Sequence, residues 1–104
     1  MDAGSLISPD VLARYAGDAA REVEGVAGLA AGPLHRGGGV SVSGEPGALA
    51  IRVHLVLEWG RSAAEVGWAV QRRVAEYLER MASVRPASVD VVVDAIAPPQ
   101  PIHS

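Results

Sequence analysis

The stretch from Leu49 to Trp59 limits the possible folds more than any other part of the chain. Leu49, Ile51, Val53, Leu55, Leu57 and Trp59 fall on one side of an extended backbone, and Ala50, Arg52, His54, Val56 and Glu58 on the other. Strand side chains alternate between faces, so this pattern predicts a strand with one covered and one wetter face. Trp59 continues the inward set and is expected in the core. A sheet with a single apolar face needs a roof, and two amphipathic segments can supply it.

The first begins at Ser8-Pro9-Asp10. Ser8 serves as N-cap, Pro9 suits the first helical position and Asp10 favours the helix dipole. Leu12, Tyr15, Ala16, Ala19 and Val23 recur at helical spacing as a buried stripe, and Gly25 is expected to end the helix. Gly17 costs this helix about 1 kcal/mol relative to Ala and suits a close backbone approach. The second segment opens with the capping box Ser62-Ala63-Ala64-Glu65. Val66, Val70, Val74, Tyr77, Leu78 and Met81 form its inward stripe, and Glu76 and Arg80 are placed to pair. The helix should stop near Ser83, because Pro86 restricts the residue before it.

Shorter strands complete the layer. Ser5-Leu6-Ile7 reads as an edge strand, Val40–Ser43 alternates, and Gly44-Glu45-Pro46-Gly47 is a turn. Val89, Val91 and Val93 alternate with Asp90, Val92 and Asp94 in a last strand, and Val26–Leu29 offers a further short one. The expected architecture is α+β, a two-layer sandwich in β-α-β-β-α-β order with two helices packed on one face of a small mixed sheet. Residues 1–97 form one domain, and residues 98–104 a flexible proline-rich tail.

At 104 residues the chain suits one domain with a core that needs no staples. It has no cysteine, which excludes disulfides and thiolate zinc sites. No secretory signal or membrane-spanning run is visible, so a cytoplasmic protein without direct membrane insertion is expected. The net charge of −3 is the wrong sign for nucleic acid, and no nucleic-acid partner is expected. An apolar share of 49% and a mean hydropathy of +0.21 are high for a soluble domain and hint at a covered surface.

Residue types that carry chemistry are present but dispersed. His35, His54 and His103 lack the spacing of a metal site. His54 lies between Arg52 and Glu58 on one strand face, but a general base needs a pocket and an orienting partner. Asp90 and Asp94 share a strand face and could meet a hard cation with Glu58, yet no loop clusters them. Ser41 and Ser43 lack a nucleophile elbow. Gly25–Gly28 and Gly44–Gly47 both match the G-x-x-G loop of KH-type RNA-binding modules, where that loop joins helices. No catalytic, cofactor or metal residue is assigned. Trp68 lies about 200° round the second helix from Val66, off the buried stripe. With Arg52, His54 and Glu58 on the open sheet face, it makes up the expected interaction surface.

The segments Ile7-Ser8-Pro9-Asp10-Val11-Leu12-Ala13, Ala16-Gly17, Ala19-Ala20, Glu22-Val23 and Gly25-Val26 resemble the opening of the alkaline shock protein family, also described as the envelope stress response or general stress family. Glu58-Trp59-Gly60, Glu65-Val66, Gln71 and Val89-Asp90-Val91 resemble its second half. The family often has Tyr where Trp59 stands and Thr-Gly where Ala82-Ser83 stand. The resemblance implies a non-enzymatic cytoplasmic interaction module in bacterial cell-envelope homeostasis. It also implies self-association and attachment beneath the membrane through a membrane-anchored protein partner. The alternative is a KH-like RNA-binding module.

Overall fold

The computed structural model describes residues 8–30, 38–45 and 47–99. Its elements are α1 (Pro9–Arg21), β1 (Val26–Leu29), β2 (Val40–Ser43), β3 (Ala50–Leu57), α2 (Ala63–Ala82) and β4 (Ser88–Ile96). The expected strand at Ser5–Ile7 lies outside the described residues. The short strand after the first helix is present, as β1.

The sheet is mixed and centred on β3. β4 runs parallel to β3 along one edge. β1 and β2 both run antiparallel to β3 and lie end to end along the other edge, against Leu55–Leu57 and Ala50–Val53. The four described strands therefore make a sheet three strands wide. His54 is the junction of the broken edge strand. Its carbonyl accepts from the Ala30 N–H (2.9 Å) and its N–H donates to the Gly39 carbonyl (2.7 Å). Gly39 holds this neck at φ +90°, where a Cβ would lie 2.6 Å from the Ala30 oxygen.

Both helices cover one face, as the alternation in β3 requires. Ile51, Val53 and Leu55 are fully buried and Leu57 nearly so. Above them sit Leu12, Ala16, Ala19 and Ala20 of α1 and Val66, Val70, Val74 and Leu78 of α2. At Gly17 a Cβ would come within 3.1 Å of Leu29 Cδ1, so the close approach is to a side chain rather than to backbone. Tyr15 and Tyr77 meet edge to face at 5.9 Å, and Arg73 reaches Glu22 (3.0 Å), tying α2 to α1.

The caps follow the sequence. Ser8 Oγ accepts from the Val11 N–H, and Ser62 Oγ from the Glu65 N–H (both 3.2 Å). Ser83 ends α2 in the left-handed region at φ 55°. Ser62→Ala should lower stability by about 1 kcal/mol, read as a shifted urea midpoint at constant slope.

Four expectations are corrected. Trp59 is 64% exposed, because β3 ends at Leu57 and the backbone turns away through Gly60 at φ +85°. Met81 is 47% exposed. At about 30 Å, α2 outlasts the roughly 26 Å of β3, so its stripe runs off the sheet after Leu78. α1 stops at Arg21, and Gly25 (φ +101°) shapes the turn into β1 instead of ending the helix. Glu76 pairs with Arg72 (3.4 Å), while Arg80 packs over the Tyr77 ring at 5.6 Å.

Candidate interaction surface

With both helices on one side, the other face of the sheet carries neither. Ser41 and Ser43 of β2 stand beside Arg52 and Ala50 of β3, and Gly28 of β1 stands beside Val56. On the β4 side, Asp90 neighbours Arg52 and Val92 neighbours His54.

The charges on this face are paired within the chain. Arg52 Nη2 lies 3.8 Å from Asp90 Oδ2, an exposed and therefore weak pair. His54 Nδ1 donates to Asp94 Oδ1 at 3.0 Å, and both side chains are about three-quarters buried (23% and 27% exposed). The ladder is irregular next to that contact: in a regular parallel pair Asp94 would stand beside Val56, but the register shifts after Leu55 and Ala95 takes that place.

The structure thus places Arg52 and His54 together on the open face. Glu58 is a correction. It lies beyond the end of β3, where its carboxylate faces Arg61 (3.4 Å), and Arg61 also donates to Glu24 (3.1 Å). The hydrogen bond to Glu24 is the main influence that raises the Arg61 pKa. Trp68 stands apart from the sheet face, 59% exposed on α2, with the Arg72 guanidinium 4.9 Å from its ring.

His54 has an orienting carboxylate in Asp94, on the sheet face away from the helices. Among the described residues, Ala27, Glu58, Trp59, Ala97, Pro98 and Pro99 form an open depression. Among the described residues, no three His, Cys, Asp or Glu side chains gather to hold a metal ion. Neither G-x-x-G segment joins two helices: Gly25–Gly28 leads from α1 into β1, and Gly44–Gly47 links β2 to β3. Sequence reasoning missed two features. One is the His54–Asp94 contact, hidden because it depends on which strand pairs with β3 and in which register. The other is the exposure of Trp59, whose signal was the adjacent Gly60.

A model of the alkaline shock protein family, described as having a cell envelope-related function, matches residues 3–98. The chain belongs to the alkaline shock protein family. Solved structures of the MamM CTD have the same fold as this alkaline shock protein domain. A triple variant aligns at TM-score 0.62 and 19% identity, covering 83% of this chain and 93% of that one. A manganese form aligns at TM-score 0.61 and 20% identity, covering 83% and 96%. A nickel form aligns at TM-score 0.54 and 14% identity, covering 83% and 96%. Identities this low show the fold alone. No curated protein matches the chain. Among the described residues of this alkaline shock family protein, no helix is long and apolar enough to cross a membrane.

Proposed function

We propose that this alkaline shock family protein is a non-catalytic protein-interaction module of cell-envelope homeostasis. It associates with copies of itself and is held near the membrane by a membrane-anchored partner. The family's envelope-related description supports the setting. The observation that carries the interaction reading is the display of large apolar side chains outside the buried core. Trp59, Trp68 and Ile96 are all more than half exposed, while the described residues buried beneath the helices are all apolar. Tryptophan is enriched among the residues that dominate binding hot spots. The open sheet face adds Val56 and Val92 between charges that already have partners, so docking there strands no ion.

The manganese and nickel forms of the MamM CTD do not transfer directly. In this chain Asp90 and Asp94, the carboxylates of the open face, are engaged by Arg52 and His54.

Sedimentation over a concentration series tests the reading. The full chain should form oligomers as concentration rises, and Trp68→Ala should weaken them about ten-fold or more. Identical monomeric behaviour of both proteins at high concentration would count against self-association. Retention of RNA at low salt would favour the RNA-binding alternative.

A further inference from the structure

We infer that the outer edge of β4, which no described strand pairs, and the adjoining flank of α2 form a seam for a second copy of this chain. The two sheets join across it into one continuous sheet about a two-fold axis. This rests on the self-association reading and names the surface used.

Two independent features meet along this edge. The first is backbone. The Ser88 N–H points at β3, bonding the Leu49 carbonyl, and the parallel register makes Asp90 and Val92 do the same. Val89, Val91 and Val93 therefore direct their N–H and C=O groups outward, where no strand among the described residues pairs with them. Their side chains face the helices but are only partly buried, unlike the fully buried Ile51, Val53 and Leu55 on the neighbouring strand. The roof stops short at this edge.

The second feature is the flank of α2 above it. The flank is placed by Gly67, whose Cβ would stand 4.0 Å from Val91, and by Gln71, whose Nε2 donates to the Val89 carbonyl (2.9 Å). Residues roughly 100–200° round the helix from Val66 share this side. Besides the buried Leu78 they are Ala64, Gly67, Trp68, Gln71, Ala75 and Ala82, with no charge among them. Of the charged side chains of α2, Arg73 turns to Glu22 at the end of α1, and Arg72, paired with Glu76, borders the flank with its guanidinium 4.9 Å from the Trp68 ring. A small, uncharged flank carrying one exposed Trp resembles a helix–helix contact face more than a solvated one.

A two-fold axis along β4 brings each chain's α2 flank toward its mate's, because α2 packs along β4. Charge selects the register. With the axis at Val91, an antiparallel pairing puts Asp90 across from Val92 and Ser88 across from Asp94. Centring it on Val92 would set Asp90 against Asp94, a like-charge pair. The Val89 carbonyl has a second lone pair, so it can accept from the mate's Val93 N–H while keeping Gln71. Trp68, near the level of the axis, is then covered.

Sedimentation equilibrium of the full chain tests the seam with three variants. Val91→Pro removes an outward N–H without touching the β3–β4 ladder. Ala64→Glu places a charge on the flank in a first helical turn that tolerates acid, so the fold survives it. Val56→Arg alters the open sheet face instead. The chain should dimerise, and the first two variants should each raise its dissociation constant at least about ten-fold, with Val56→Arg near the parent. A dimer weakened only by Val56→Arg would overturn the seam and leave self-association standing. A chain monomeric at all concentrations would overturn both. Hydrogen exchange adds a separate reading: the Val91 amide should be protected in the dimer and exchange freely on dilution. Protection that persists in the monomer would assign the edge to another segment of the chain and overturn the seam.

Discussion

Leu55→Ala is expected to cost about 3–4 kcal/mol of folding stability, a large part of the roughly 5–15 kcal/mol a domain has. Leu55 is fully buried at the centre of β3, the one described strand paired on both edges. Helix residues above it and strands on either side prevent the structure from collapsing into the vacated space. The cost is therefore the lost transfer energy plus a persistent cavity. Leu49, at the entrance to β3 and only partly buried, provides the comparison, and Leu49→Ala should cost less than half as much. Urea unfolding followed by circular dichroism measures both. Equal losses would mean that the two sites relax alike and that β3 is not the rigid centre of the core.

The second large effect is expected at Gly39. Its φ of +90° lies where side chains are rarely accommodated, and a Cβ would meet the Ala30 oxygen at 2.6 Å and the His54 oxygen at 2.9 Å. Those atoms belong to the backbone at the neck where β1 and β2 meet β3, so they cannot swing aside. Gly39→Ala should cost about 3 kcal/mol or more, combining backbone strain with a forced displacement of the edge strand. Gly38 isolates the two contributions. It also has positive φ (+72°) but open space around it, so Gly38→Ala should cost only about 1 kcal/mol. If the two substitutions behave alike, the neck is looser than its geometry implies.

These sites differ in how readily the sequence discloses them. Leu55 is legible because a period of two over many residues has one physical reading, and the caps at Ser8 and Ser62 are legible because they act within a single turn. Gly39 is not. It sits in a run of glycines that reads as loop, and its importance comes from Ala30 and His54, which reach it only through the pairing with β3. Trp59 shows the opposite failure. The alternation extends through it, but a strand ends where its neighbours stop pairing, and β1 meets β3 no further along than Leu57. His54 and Asp94 were each visible as residues on a wetter face. Their contact was not, since it depends on which strand pairs with β3 and in which register.

The seam along β4 marks the same division. Sequence alone determined two helices over one face of a strand-centred sheet and the family to which the chain belongs. These rest on local periodicity, capping and motif spacing, all of which act over a few residues. Tertiary structure alone decided that β1 and β2 share one edge, that no described strand pairs with the other edge of β4, and that the flank of α2 bearing Trp68 lies along that edge. Each depends on which distant segments pair, and pairing is settled by the whole core at once.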